Sequence, residues 1–151
     1  MLQPDVVPFT RALCAAGRHV TIETAGTLYR HVAADLMSIS PKLANSTPTD
    51  AVWSARHERL RDNEEVCRRL FAEFHCQLKF VIDQPADLED VERYLHRFPE
   101  VNAEQVWLMP QAITPESLHE KSQWLGEEAD RRGYRLSPRL HIERFGNVRG
   151  T

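Results

Sequence analysis

The sequence has little cysteine, no long apolar run and no excess of positive charge. Its three cysteines, Cys14, Cys67 and Cys76, are too few and too widely spaced for a disulfide framework. No apolar segment approaches the roughly 20 residues that span a bilayer, and the first residues lack the basic and apolar regions of a signal peptide. Lys and Arg number 19 against 22 Asp and Glu, which weakens any reading as a nucleic-acid-binding protein. These absences predict a cytoplasmic protein that binds neither membrane nor nucleic acid, either an enzyme or a small binding domain.

Length and composition are those of an ordinary globular domain. The chain has 151 residues, of which 42% are hydrophobic and 27% are charged. No internal repeat or low-complexity tract divides it. We therefore predict one domain over residues 1–151.

Strand and helix patterns alternate along the chain. The spacing of apolar residues predicts helices over 4–16, 57–74, 88–98 and 114–133, and strands over 19–24, 35–40, 77–83, 105–109 and, with an interruption, 134–143. This alternation predicts an α/β fold with a parallel sheet, either doubly wound or part of a β/α barrel. The series opens with a helix, which suggests that the first βα units of such a fold are missing.

Polar and turn-forming residues follow the predicted strands, where parallel α/β proteins bind ligands. Thr24 can form hydrogen bonds, Gly26 would let a ligand approach the backbone, and Lys42 offers a cation to a carboxylate or phosphate. Ordinary turn chemistry explains any one of these segments better than ligand binding does, the four in succession favour neither explanation, and none of them names a reaction. The seven histidines lack metal-site spacing, and the cysteines are predicted to be buried and inert, so we assign no catalytic or metal-binding residue.

Several of these segments together carry a family resemblance. In order they are Ile22-Glu-Thr-Ala-Gly-Thr27, Ser38-Ile-Ser-Pro-Lys42, Leu78-Lys-Phe-Val-Ile82, Leu108-Met-Pro110, Ser137-Pro-Arg-Leu-His141 and Phe145-Gly-Asn-Val-Arg-Gly-Thr151. The series resembles the C-terminal part of the 7-carboxy-7-deazaguanine synthases, which are radical S-adenosylmethionine enzymes. The resemblance implies a partial β/α barrel, usually in a homodimer, with a [4Fe-4S] cluster, S-adenosylmethionine and Mg²⁺. Such enzymes convert 6-carboxy-5,6,7,8-tetrahydropterin to 7-carboxy-7-deazaguanine with loss of ammonia, a step towards queuosine and other 7-deazapurines.

The resemblance also implies roles for individual residues. Thr24 matches a substrate-binding position, and the C-terminal carboxylate of Thr151 is expected to reach the substrate. The positions that match contacts to S-adenosylmethionine are Gly26, Ser40, Pro41, Lys42, Met109, Pro110 and Gln111.

Two elements of the family pattern are absent from the sequence. It has no Cys-x-x-x-Cys-x-x-Cys motif for the cluster and no Gly-Gly-Glu-Pro element, and Met1-Leu-Gln-Pro4 looks like the continuation of the latter. We therefore expect the chain to begin inside the family motif and to be inactive alone, because no cluster would reduce the cofactor. A split enzyme with a separate N-terminal chain would fit as well. The alternative from another class is a non-enzymatic α/β module that binds a nucleoside-like ligand or a partner chain.

Overall fold

The computed structural model describes residues 3–148, which form helices and strands in alternation. Two 3-10 turns, Ala44–Ser46 and Ala103–Gln105, supplement them. The helices and strands are, in chain order, α1 Val6–Ala15, β1 Thr21–Thr24, β2 Leu36–Ile39, α2 Ala51–Leu60, α3 Glu64–Glu73, β3 Cys76–Ile82, α4 Asp87–His96, β4 Val106–Pro110, α5 Pro115–Arg132, β5 Arg135–Leu136 and α6 Leu140–Phe145. None of the helices in residues 3–148 combines the length and apolarity that a membrane crossing requires.

The strands form one sheet in the order β1-β2-β3-β4-β5. β1 pairs in parallel with β2, β2 with β3, and β4 with β5. Thr24 stands opposite Ile39, so the carboxyl ends of β1 and β2 lie side by side. The predicted α/β fold with a parallel sheet is confirmed, and a sheet of this kind is compatible with part of a β/α barrel.

The described residues divide into two compact units. The first contains the residues up to Lys42 together with Ser46–Leu78, and the second contains Leu43–Asn45 and the residues from Lys79 onward. Strand β3 contributes residues to both units. The single domain expected from composition stays a prediction.

The core of the first unit surrounds β2. Met37, Ile39 and Leu70 are fully buried and form one cluster with Val32 and Cys76. Half-buried side chains of α1 and α3 pack against this cluster, among them Val6, Val7, Val66 and Phe71. Such packing on both neighbouring helices holds the short strands in place, because a four-residue strand supplies few hydrogen bonds of its own.

The core of the second unit has an aromatic centre. Phe80 on β3 meets Tyr94 on α4 edge to face, with ring centroids 5.4 Å apart, and Tyr94 meets Phe98 at 5.0 Å. Alternate residues of β3 are buried, including Ile82. A buried side chain of this size contributes about 1.5–3 kcal/mol, so this cluster fixes the strand whose end precedes α4.

The helix predicted over 57–74 is two helices. Asp50 begins α2, with its carboxylate accepting hydrogen bonds from Val52 N and Trp53 N, each at 3.0 Å. Asn63 begins α3, with its side-chain oxygen accepting from Val66 N at 3.2 Å. An Asn that caps a new helix ends the preceding one, and this competition overrides the continuous apolar pattern.

The last predicted strand is also shorter than expected. Strand pairing stops at Leu136, ahead of Pro138, and the segment from Leu140 to Phe145 is helix α6. Only Ile142 of α6 is fully buried. A short apolar run cannot distinguish helix from strand by its periodicity, which is why the sequence pattern misassigned this segment.

Candidate functional site

The ends of β1 and β2 are joined through Thr24. Its carbonyl oxygen accepts a hydrogen bond from Ser40 N at 2.7 Å, and its Oγ1 accepts from Gly26 N at 3.2 Å. The second bond folds the chain back directly after the strand. Two of the predicted ligand-binding segments, Thr24 to Gly26 and Ser40 to Lys42, are thereby brought together in the first unit.

Gly26 lies in a tightly packed turn. Its φ is +74°, and a Cβ at this position would stand 2.9 Å from Cys67 Sγ and 3.0 Å from Ile39 Cγ2. The Cys67 thiol also donates to the Gly26 carbonyl at 3.5 Å. The turn is therefore pressed against α3 and β2, and close packing by itself requires a glycine at this position.

Lys42 ends the second segment with its backbone fixed and its side chain exposed. Pro41 is buried, and Arg61 Nη1 donates to the Lys42 carbonyl at 2.6 Å. Within residues 3–148 the Lys42 ammonium has no hydrogen-bond or ion-pair partner. The ammonium is therefore available on the surface, on a side chain whose backbone is anchored.

Lys42 also lines a mostly apolar groove of about 490 Å³ in the first unit. Trp53 forms part of its wall, is 57% exposed and carries the Arg56 guanidinium over its ring. The other lining residues are Pro48, His57, Leu60 and Arg61. An aromatic wall with cations around it suits a flat ligand with negative charge. The sequence analysis missed this groove, because nothing in the sequence around Trp53 shows that its side chain is exposed beside Lys42.

The segment after β4 lies in the second unit. Pro110 is buried, Met109 is half-buried and Gln111 is exposed. Gln111 N donates to the Ile82 carbonyl at 2.7 Å, which fixes the turn at the end of the strand. The side chain of Gln111 therefore projects from an anchored backbone, as a ligand-binding residue would require.

Asp87 is a buried acid that the sequence analysis did not single out. It is 4% exposed and begins α4. Its Oδ2 accepts from Asp83 N at 2.7 Å, Gln84 N at 3.1 Å and Asn45 Nδ2 at 2.9 Å. Asn45 Nδ2 also donates to the Val81 carbonyl at 3.0 Å. One carboxylate thus shapes the turn after β3. The acidic residues in the first turn of α4 were a signal in the sequence that a helix starts at Asp87.

The cysteines are arranged as structural thiols. Cys67 and Cys76 are buried, as predicted, and the Cys76 thiol donates to the Leu70 and Phe74 carbonyls at 3.3 and 3.4 Å. Burial raises the pKa of the Cys76 thiol to about 12, so it stays protonated at neutral pH. Within residues 3–148 no three His, Cys, Asp or Glu side chains converge as a metal site. Since a [4Fe-4S] cluster needs thiolates, these cysteines do not fit one.

The remaining predicted residue, Thr151, lies outside the described residues. The roles predicted for Thr24, Gly26 and the segments ending at Lys42 and Gln111 stay predictions. What the structure adds is their geometry: each segment lies at the carboxyl end of a strand or directly after it, and each has its backbone anchored by a hydrogen bond.

Comparison with known proteins gives these residues a context. No protein-family model matches the chain. It is 36% identical over 163 residues to the 7-carboxy-7-deazaguanine synthase of Halobacterium salinarum, covering 100% of this chain and 63% of that protein. To the synthase of Rhodopirellula baltica it is 38% identical over 156 residues, covering 100% of this chain and 60% of that protein. To the synthase of Pyrobaculum aerophilum it is 40% identical over 72 residues, covering 48% of this chain and 32% of that protein.

The chain thus spans about three fifths of the length of the first two curated relatives. Their names indicate an enzyme family. The resemblance predicted from the motifs is confirmed, because over its whole length the chain is similar to proteins named 7-carboxy-7-deazaguanine synthase.

Proposed function

We propose that the chain is the C-terminal part of a 7-carboxy-7-deazaguanine synthase. The complete enzyme would convert 6-carboxy-5,6,7,8-tetrahydropterin to 7-carboxy-7-deazaguanine with loss of ammonia, as a cytoplasmic homodimer. The observation that carries the proposal is the similarity of the whole chain to two proteins of that name. The anchored strand ends that bear the family's motif residues support it.

Each motif residue would then act through a group that the fold leaves available. The Thr24 hydroxyl accepts one hydrogen bond from Gly26 N and keeps its own proton to donate to the pterin. The Lys42 ammonium would hold an anionic group of S-adenosylmethionine. The backbone around Gly26, Ser40 and Pro41 would contact S-adenosylmethionine, and the resemblance implies a cofactor contact for Met109, Pro110 and Gln111 as well. Bound S-adenosylmethionine would supply the radical chemistry of the reaction.

The described residues do not provide ligands for the [4Fe-4S] cluster that the proposed enzyme needs. Cys67 and Cys76 are protonated donors inside the first unit, and within residues 3–148 no cluster of three potential metal ligands exists. We therefore place the cluster ligands outside these 151 residues and derive no radical step from them. No residue is assigned to Mg²⁺.

The test is formation of 5′-deoxyadenosine from S-adenosylmethionine. The chain alone, after anaerobic reconstitution with iron and sulfide, should form none. The same chain joined to the segment of the Rhodopirellula baltica synthase that the match leaves uncovered should form both 5′-deoxyadenosine and 7-carboxy-7-deazaguanine. In the joined protein Lys42→Ala should raise the KM for S-adenosylmethionine, whereas Arg59→Ala on the exposed side of α2 should not.

Two results would reject parts of the proposal separately. Formation of 5′-deoxyadenosine by the chain alone would show that these 151 residues contain the cluster ligands. An inactive joined protein, prepared beside an active Rhodopirellula baltica enzyme and containing a full cluster, would reject the synthase assignment.

The groove beside Lys42 favours a second candidate, a module that binds a nucleoside-like anion without catalysis. Calorimetry of the chain alone with S-adenosylmethionine separates the two. Binding that disappears in Lys42→Ala and Trp53→Ala, but persists in Arg59→Ala, would favour the module. Very weak binding by the unaltered chain would favour an incomplete enzyme.

A further inference from the structure

Arg139 lies against the turn that follows β4. It directly precedes α6, and its Nη1 donates to the Ala112 carbonyl at 2.8 Å. Ala112 is 1% exposed and is the next residue after Gln111. The guanidinium therefore stands at the same strand end as Gln111, within the second unit.

Most of the hydrogen-bonding capacity of Arg139 is unused. A guanidinium has five N–H donors, and the bond to Ala112 occupies one of them. Arg139 Nε is buried and meets no acceptor from the described part of the chain. No carboxylate among residues 3–148 forms an ion pair with Arg139, although the residue is only partly exposed.

Arg132 shows how this fold ordinarily treats a partly buried arginine. Its guanidinium forms ion pairs with both Glu92 and Glu128 in the same unit. Removing a cation from water is unfavourable unless an anion or several acceptors compensate. Among the described residues, 3–148, Arg139 meets only a carbonyl, so an external anion would supply the missing compensation.

We propose that Arg139 binds the carboxylate of a small-molecule ligand at the carboxyl end of β4. A planar guanidinium with parallel N–H groups matches the two oxygens of a carboxylate, and its attachment to Ala112 holds it ready in one orientation. The identity of the ligand rests on the proposed function, since S-adenosylmethionine and 6-carboxytetrahydropterin each carry a carboxylate. The resemblance implies no ligand contact for Arg139, although the residue lies in the segment Ser137-Pro-Arg-Leu-His141.

The experiment compares ligands that differ only at this group. Anaerobic calorimetry on the joined protein described above would use S-adenosylmethionine against its decarboxylated form, and 6-carboxytetrahydropterin against 6-methyltetrahydropterin. We expect at least one carboxylate to bind about tenfold tighter than its counterpart, as a charge-assisted pair would give. The pair of ligands that shows the preference identifies the source of the carboxylate.

Variants then assign the preference to the residue. Arg139→Gln should abolish it, and Arg139→Lys should reduce it severalfold, because an ammonium keeps the charge but loses the paired donors. Arg144→Gln, an exposed arginine on α6, is the matched control and should preserve it. If Arg139→Gln does not fold, as judged by circular dichroism, Arg139→Lys decides.

A joined protein with Arg139 intact that prefers neither carboxylate, or a preference that survives unchanged in the Arg139 variants, would overturn the proposal. Its fate is separable from that of the synthase assignment. An inactive joined protein with an Arg139-dependent preference rejects only the enzyme, and an active one without that preference rejects only this binding role.

Discussion

The turn after β1 and the turn after β4 achieve a fixed backbone by different means. In the first unit, Gly26 is held by close packing against Cys67 and Ile39, and the Thr24 side chain closes the turn locally. In the second unit, the turn carrying Ala112 is held by the backbone bond from Gln111 N to the Ile82 carbonyl, by apolar packing of Ala112, and by the charged side chain of Arg139. The first turn thus depends on shape, whereas the second adds a charged donor that retains further bonding capacity.

This difference bears on how a binding site is distributed over a fold. A backbone fixed by packing leaves neighbouring polar groups, such as the Lys42 ammonium, available without engaging them. A backbone fixed by an ionised side chain makes that side chain part of the surface a ligand meets. Substitutions should therefore damage the first turn through stability and the second through binding.

Gly26→Ala should have the largest effect. An alanine at φ +74° is strained, and its Cβ would press on Cys67 Sγ, so we expect a loss of about 3 kcal/mol in the free energy of unfolding measured with urea. Gly17→Ala is the matched control, since its φ is +69° but no atom stands within 4 Å of the added carbon. It should cost only about 1 kcal/mol. Equal losses in the two variants would show that packing does not fix this turn.

Asp87→Ala tests the corresponding dependence on polar side chains in the second unit. The change removes the acceptor of three hydrogen bonds, from Asp83 N, Gln84 N and Asn45 Nδ2. We expect a loss of about 2 kcal/mol in the free energy of unfolding measured with urea, because three donors lose their shared buried acceptor at once. Glu89→Ala, an exposed position of the same helix, should change stability by about 0.5 kcal/mol or less. Similar values for both would mean that the turn after β3 is held without Asp87.

Tyr134 gives the smallest expected effect, visible only at high pH. Burial, with a smaller contribution from the Glu92 carboxylate, raises the pKa of the Tyr134 phenol to about 12 from an ordinary value near 10. The folded state then holds the proton more tightly than the unfolded state, so this stabilisation is complete below pH 10 and is lost between about pH 10 and 12. Between pH 10 and 12, the free energy of unfolding measured with urea should fall less steeply in Tyr134→Phe than in the wild type. Parallel pH profiles would contradict the assignment, and absorbance at 295 nm should show the loss of one late-titrating phenol.

The sequence predicted the alternation of elements well because β2, β3 and β4 are buried strands with strong apolar patterns. It failed where local chemistry competed with that pattern, as at Asn63, which starts a new helix inside a continuous apolar stripe. It also failed after Pro138, where a short apolar run supports two structures.

The candidate site was predictable only as a set of positions. Residues such as Thr24 and Lys42 could be named because they follow strands. Three features of the structure depend on contacts between residues 27 to 42 positions apart in the chain. They are the packing that requires Gly26, the buried acceptor Asp87 and the incompletely paired Arg139. Spacing along the sequence does not record such contacts.

The burial of two of the three cysteines has a practical consequence for studying the chain. Cys67 and Cys76 keep their thiols directed at backbone carbonyls, while Cys14 on α1 is only half-buried. A maleimide dye added to the folded protein at neutral pH would therefore attach at Cys14 well before the other two. The natural sequence thus offers a one-site fluorescent label on the first helix, suitable for following assembly with a second polypeptide without any engineered residue.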